Sequence, residues 1–393
     1  MFTQMVSLEN ILPWRSLRGL LRARKTGYWE ELRQVLGHGI AAKSARKPKI
    51  SPLSFIQPWN SRWSEPPALF QMMSGYWVSQ TVYVAAKLGI ADVIQDSPVS
   101  CEEIARRAQV HADSLFRLLR ALESIGICKR KKEKYSLTAH GRLLRSDVPG
   151  SLRSMALTLG ELHYQAWGNL VHSVRTGQPA FDDVFQAGLF QHLSERTDDG
   201  STFNAAMSDF SGLVSCAVGL AYDFSGARSV IDVGGGHGRF LRTILQMNGH
   251  LDGMVFDLPS VISGANGHLS GMNGRCTKVS GDFFTAVPAG ADIYILCGVI
   301  HDWNDDQSIT VLQNCREAMT DASRILVVEM IVPGNRPSFS TLLDLNMLVM
   351  SGGRERMESE FRTLFQRAGL EVTRIVSTLS PHKIIEGRRN GSR

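Results

Sequence analysis

The chain has 393 residues, 43 Lys+Arg against 37 Asp+Glu, a formal net charge of +6 and 43% hydrophobic residues, which fits two or three globular domains. Residues 1–50 hold ten basic and three acidic side chains, so this arm carries +7 and the rest of the chain −1; that balance excludes a polycationic body built to coat nucleic acid. No apolar run approaches the ~20 residues that span a bilayer, Glu9, Arg15 and Arg18 interrupt any secretory leader, and the six cysteines form no C-x-x-C pair, so a cytoplasmic setting without zinc or other metal is expected.

Residues 1–66 read as a basic extension, partly helical or disordered. Trp14, Leu17, Leu20 and Leu21 recur at helical spacing with Arg15, Arg18, Arg22 and Arg24 between them. Such a helix suits an anionic membrane surface or a partner, with packing on its own protein as the alternative. Residues 67–150 read as a winged-helix unit. A long helical pattern over 68–94 carries Leu69, Met72, Met73, Tyr76, Val82, Tyr83 and Ala86, and Gly89 marks its end. Ser100 and Glu103 have capping-box spacing, which starts a helix at Cys101. A second helix over 112–124 and a hairpin over 127–137 follow, the hairpin tip bearing Lys129, Arg130, Lys131, Lys132 and Lys134. The second helix offers little beyond Arg117 and Arg120 to read base edges, so nucleic acid is not the expected partner.

Residues 151–225 read as a helical linker and pocket region, where aromatics and methionines, including Trp167 and Met207, suit an apolar wall or plain core. From 226 to 386 strands alternate with helices: a strand over 229–233, a helix over 239–247, a strand over 253–256, and further strands over 293–297 and 325–328. This rhythm predicts an α/β, Rossmann-like, doubly wound sheet. After the first strand comes Asp232-Val233-Gly234-Gly235-Gly236-His237-Gly238, followed by Arg239 where a dinucleotide fingerprint has its last glycine. A ligand smaller than a dinucleotide is therefore expected, with Asp257 placed to accept ribose hydroxyls.

Five motifs in order then carry a resemblance: residues 232–238, Phe256-Asp257-Leu258-Pro259, Gly281-Asp282-Phe283-Phe284, His301-Asp302-Trp303-Asn304-Asp305 and Gly352-Gly353-Arg354-Glu355-Arg356. Together they resemble the S-adenosylmethionine-dependent O-methyltransferases of the caffeic-acid, acetylserotonin and bacterial polyketide-tailoring type, over about residues 67–385. The resemblance implies a homodimer formed through the winged-helix domain. It also implies that S-adenosylmethionine is held by Asp232, Gly234, Gly236, Gly238, Asp257, Asp282 and Phe283, with Met207 and Ser211 touching cofactor and substrate. His301 is implied as general base, flanked by Glu329 and Glu355. Cys297 stands where the family often has Lys or Arg, which removes one cofactor contact. Trp167, Met207, Asp302, Asn346, Met347 and Met350 are candidate acceptor-pocket residues.

The expected reaction is methylation of a phenolic or enolic hydroxyl of a small, largely apolar secondary metabolite, because a phenol of pKa ~10 is within reach of an imidazole base. The alternatives are the same fold and cofactor recruited to a hydroxylation, decarboxylation or pericyclic step, and a winged-helix regulator that binds DNA.

Overall fold

The computed structural model describes residues 65–391 apart from 149, 265–268, 270, 271, 273, 335 and 336. The amphipathic helix expected around Trp14 lies outside the described residues. The described chain forms two compact units, one from residues 65–170 with Ala180–Asp209, the other from Val171–Pro179 with residues 210–391. The helical stretch expected over 151–225 is thus shared between the two units.

In the first unit the pattern expected as one helix over 68–94 is three: α1 (Glu65–Met73), α2 (Tyr76–Lys87) and α3 (Ile90–Ile94). Ser74 turns its hydroxyl back onto the Phe70 carbonyl at 2.9 Å, and Gly89 adopts a left-handed φ of 63° that ends α2. The two-residue strand β1 (Val99–Ser100) leads into α4 (Cys101–Ala108), where the Ser100 hydroxyl accepts the Glu103 N–H. Glu103 does not return the bond as a full capping box would. Its carboxylate is drawn instead to Arg106 and Arg107 one turn on, which offer charge-assisted bonds. Helix α5 (Ala112–Ser124) buries Leu115, Leu119 and Leu122. Strands β2 (Cys128–Lys131) and β3 (Lys134–Leu137) form the expected hairpin, turned by Lys132 and Glu133 at φ of 47° and 60°. β1 pairs with β3, a strand too short to leave a pattern in the sequence. Arg130 lies over the Phe116 and Tyr135 rings and pairs with Glu133, so part of the hairpin's charge is used internally. Leu69, Phe70, Met73, Tyr76 and Trp77 all remain at least half exposed. The Phe70, Tyr76 and Trp77 rings lie against one another, and a cluster of exposed apolar side chains of this kind marks an interaction surface.

The second unit is a seven-stranded sheet in the order β6-β5-β4-β7-β8-β10-β9. The long helix α6 (Thr197–Ala221) precedes β4 (Ser229–Val233), α7 (Arg239–Met247), β5 (Asp252–Asp257), β6 (Cys276–Ser280) and β7 (Ile293–Cys297). Helix α8 (Asp305–Ala318), β8 (Arg324–Met330), α9 (Phe339–Met350), α10 (Glu358–Arg367), β9 (Leu370–Ser377) and β10 (His382–Arg389) complete it. β4 to β8 pair in parallel, as the expected doubly wound sheet requires, while β10 runs antiparallel to both β8 and β9. One face packs against Val311 and Leu312 of α8 and Phe361 and Phe365 of α10; the other packs against Val214 and Val218 of α6 and Leu241 and Ile244 of α7. Strand order turns in opposite directions from β4 and from β7, which lie side by side. Loops leaving their carboxyl ends must diverge, and the crevice between them is where such sheets bind ligands.

Candidate active site

The loop after β4 is shaped by glycine. Gly234, Gly236 and Gly238 have φ of 70°, 59° and 79°, in the left-handed region. A Cβ on Gly234 would lie 2.8 Å from Val299, and one on Gly235 would lie 2.8 Å from the Asp232 carboxyl; at Gly236 it would meet nothing within 4 Å. Gly236 is therefore the open rung of the loop, where a ligand can approach backbone. The Asp257 carboxylate, at the end of β5, accepts the N–H groups of Gly236 at 2.8 Å and Leu258 at 2.7 Å. Asp232 is 1% exposed, and its Oδ2 has no hydrogen-bond partner among the described residues. Burial, with the neighbouring Asp257 charge, pushes its pKa to about 7. An unpaired acid in a glycine cradle fits a ligand with a cationic group, which would satisfy Oδ2 and restore its ionised form. Phe283 edges towards Gly234 and meets Phe284 at 5.0 Å between centroids. Asp282 is exposed, and its Oδ1 accepts the Phe284 N–H at 2.8 Å.

The loop after β7 is held by ionic side chains. Glu329, fully buried on β8, accepts the N–H groups of Val299, Ile300 and His301 on Oε1 at 3.1, 3.0 and 3.3 Å. The loop's carbonyls face Arg356, also fully buried, which donates to Ile300 at 3.0 Å and Trp303 at 2.8 Å and to the Asp305 carboxylate at 2.8 Å. The Gly-Gly-Arg-Glu-Arg motif is built for this contact. A Cβ on Gly353 would lie 2.0 Å from the His301 carbonyl oxygen, so only glycine lets the two backbones touch. Arg354 N–H donates to that same carbonyl at 2.8 Å, and Glu355 Oε1 bonds His301 Nδ1 at 2.8 Å.

His301 thus has Nδ1 on Glu355, with Glu329 Oε2 3.4 Å away, while among the described residues Nε2 has only the more distant Asp302 carboxylate at 3.8 Å. Burial alone would depress the imidazole, but Glu329, Asp302 and Glu355 outweigh it and hold its pKa well above 6.5. Burial likewise lifts Glu329 to about 7 and Asp302 to about 6, each against the pull of His301. The His301, Glu329 and Glu355 atoms lie within 4.8 Å of one another, a spacing that would also suit a small cation. The Nδ1–Glu355 bond already uses that geometry to fix the tautomer.

The structure therefore brings His301, Glu329 and Glu355 together, and Asp232, Gly234, Gly236 and Asp257 together. Cys297 ends β7, half-buried, its thiol pushed well up by burial and the nearby Asp232 and Glu329. Ser211 is half-buried on α6; Asn346 is half-buried on α9, where Met347 and Met350 are 7% and 1% exposed. Trp167 and Met207 belong to the first unit, half-buried and 36% exposed. The sequence reading missed Arg356 as a functional residue although it named the motif. The only local signal was its place directly after Glu355.

Comparison with known proteins adds to this geometry. An O-methyltransferase domain family matches residues 167–371, and an O-methyltransferase dimerisation domain matches residues 70–147. A phenazine O-methyltransferase of Lysobacter antibioticus is 42% identical over 324 residues, 81% of this chain and 95% of that protein. The phenazine-1-carboxylate N-methyltransferase of Pseudomonas aeruginosa is 34% identical over 82% of this chain and 96% of its own length. The crystal structure of human N-acetylserotonin methyltransferase in complex with S-adenosylmethionine superposes with a TM-score of 0.79 at 26% identity, covering 84% of this chain and all of that one.

Proposed function

The chain belongs to the S-adenosylmethionine-dependent O-methyltransferases of secondary metabolism, and on that premise we propose that it methylates a phenolic or enolic hydroxyl of a small, largely apolar acceptor, with His301 as general base. Its cofactor is S-adenosylmethionine, and its dimerisation domain makes it a homodimer.

The observation that carries the reading is the 2.8 Å bond from His301 Nδ1 to Glu355 Oε1, which occupies Nδ1 and leaves Nε2 as the nitrogen that would meet an acceptor. In the neutral imidazole, Nδ1–H is donated to Glu355 and the Nε2 lone pair takes the hydroxyl proton. Glu355 and Glu329 then stabilise the imidazolium that forms, as His301's raised pKa requires. When bound, S-adenosylmethionine supplies an activated methyl on a cationic sulfur, whose transfer to oxygen leaves a neutral thioether. Asp232, with Gly234, Gly236 and Gly238, would hold its amino-acid end. Asp257 would take the ribose hydroxyls, and Asp282 and Phe283 the adenine. Ser211 and Cys297 are assigned to the same binding site. Asp302, Asn346, Met347 and Met350 are assigned to the acceptor. The protein's main task is then to hold oxygen and methyl in line in a water-poor site.

The test is mass spectrometry of products from phenolic acceptors and methyl-labelled cofactor. O-methylated product formed one-for-one with S-adenosylhomocysteine is expected. With an acceptor that carries both a hydroxyl and a nitrogen, labelled methyl found only on nitrogen would overturn this reading in favour of N-methylation, the reaction in the name of the Pseudomonas relative. No helix among the described residues is long and apolar enough to cross a membrane. Residues 1–50 are assigned to peripheral contact with an anionic surface in a cytoplasmic enzyme. Deleting residues 1–60 should leave activity on a soluble acceptor intact and abolish co-sedimentation with anionic vesicles; vesicle binding that survives the deletion would remove this role.

A further inference from the structure

β10 runs antiparallel to β8, so its first residue, His382, lies at the carboxyl ends of the parallel strands, paired with Met330 directly after Glu329. Alternation along each strand puts His382 on the same face as Ile384, Val328, Cys297 and Val230, the face covered by α6. Across that face the strand ends run Asp232 on β4, Cys297 on β7, Met330 on β8 and His382 on β10. Asp232 is level with Ile295, Leu326 and Glu386, so His382 stands three strands across and four residues further out along the strand axis than this acid, on the side of His301, whose charge reaches it.

His382 is 5% exposed, and its Nδ1 has no hydrogen-bond partner among the described residues. The polar groups closest in sequence are committed elsewhere. Thr378 Oγ1 donates to the His382 carbonyl at 2.7 Å, and Ser380 Oγ accepts the His382 N–H at 3.2 Å. Those bonds fix the backbone and leave the ring nitrogen unserved. The ring stands edge-on to Phe210 of α6, 5.7 Å between centroids, one residue before Ser211. Burial, aided by the charge of nearby His301, holds its pKa down to about 4, so the ring is neutral at physiological pH. A neutral imidazole unpaired in a dry place is costly unless a bound molecule completes it.

We propose that His382 is an acceptor-binding residue, its Nδ1 hydrogen-bonding an uncharged polar group, such as a second hydroxyl, a carbonyl or a ring nitrogen, carried by the acceptor away from the hydroxyl that is methylated. The inference rests on the methyltransferase reading above and deepens it. His382 selects against acceptors that lack this second group, because they leave the nitrogen buried and unpaired. It also gives no charge with which to offset a carboxylate.

The test uses the full chain with S-adenosylmethionine and matched aromatic acceptors, a hydroxynaphthalene and the same ring carrying a second hydroxyl, carbonyl or ring nitrogen. In His382→Phe the preference for the second acceptor, as the ratio of kcat/KM values, should fall at least tenfold through KM, with cofactor affinity unchanged within twofold. His382→Gln, which keeps a hydrogen-bonding group, should recover part of that ratio, and it stands in if the Phe variant does not fold. An unchanged ratio in a folded variant, or equal loss on both acceptors, overturns the proposal. A wild-type chain that forms no S-adenosylhomocysteine with any hydroxylated acceptor overturns the reading beneath it instead.

Discussion

The loops after β4 and β7 leave neighbouring strands at the same edge of the sheet, yet they are built on opposite plans. The first is glycine with left-handed turns, an open backbone at Gly236 and a buried acid, Asp232, whose Oδ2 has no partner. The second has its N–H groups taken by Glu329 and its carbonyls by Arg354 and Arg356 before any ligand arrives. On the proposed reading, the loop that receives a cation is left electrostatically incomplete. The loop proposed to aim a base is completed in advance, since reorganisation during the reaction would add to the barrier. Binding and proton transfer should therefore be separable by mutation.

The largest effect should come from His301→Ala, which removes the proposed base: kcat falls by about 10²–10⁴ while the cofactor Kd, measured by calorimetry, stays within twofold. Loss of cofactor binding in that variant would break the division between the two loops. Asp232→Asn should do the reverse, raising the cofactor Kd by about 10–100-fold, as loss of a charge-assisted bond implies, with kcat at saturation near wild type. The same acid predicts a pH effect. Its pKa of about 7 means that it is largely protonated at pH 6, so a cationic ligand binds more tightly as pH rises and releases a proton. A Kd that is flat between pH 6 and 8 would remove Asp232 from the cofactor site.

Glu355→Gln sharpens the account of the second loop. In the wild type the carboxylates keep His301 protonated until well above pH 6.5, so kcat/KM rises with pH to a limb above that value. Taking away one negative charge should move the limb downwards and lower kcat by about tenfold through lost orientation. A limb that stays in place would mean that another group sets it. The smallest effect is expected for Arg356→Lys, which keeps the charge but cannot serve Ile300, Trp303 and Asp305 at once. A several-fold fall in kcat at unchanged KM, with a lower melting temperature, is expected. A lower melting temperature with kcat intact would make Arg356 purely structural.

Much of the frame was legible in the sequence. The strand β7 is a continuous apolar run and β4 is apolar apart from Ser229 and Asp232, the helix over 112–124 shows its leucines at helical spacing, and Ser100 announces the start of α4. What escaped was short, polar or at an edge. β1 has two residues, β6 carries exposed Thr277 and Lys278, and β10 includes Glu386, Arg388 and Arg389, so none shows a buried strand's pattern. Glu103 failed to close its capping box because two arginines on the next turn competed for it. Arg356 was hidden by its residue type, since an arginine is rarely buried unless its donors are served, and here they are served from residues 300–308. In the loop after β7 the histidine and its motif were readable, but not which glutamate would touch the ring and which the backbone.

By itself, then, the sequence determined the elements, the glycine loop and the order of the acid- and base-bearing motifs. These depend on backbone sterics and periodicity, which act over a few residues. Only the tertiary structure decided the state of each ionisable group. Glu355 comes to the ring of His301 from 54 residues away and Glu329 to its backbone from 28, and the charge on His301 and Glu329 is set by burial and by their neighbours. Desolvation and Coulomb energy depend on distance through space, and that quantity exists only once the sheet has formed.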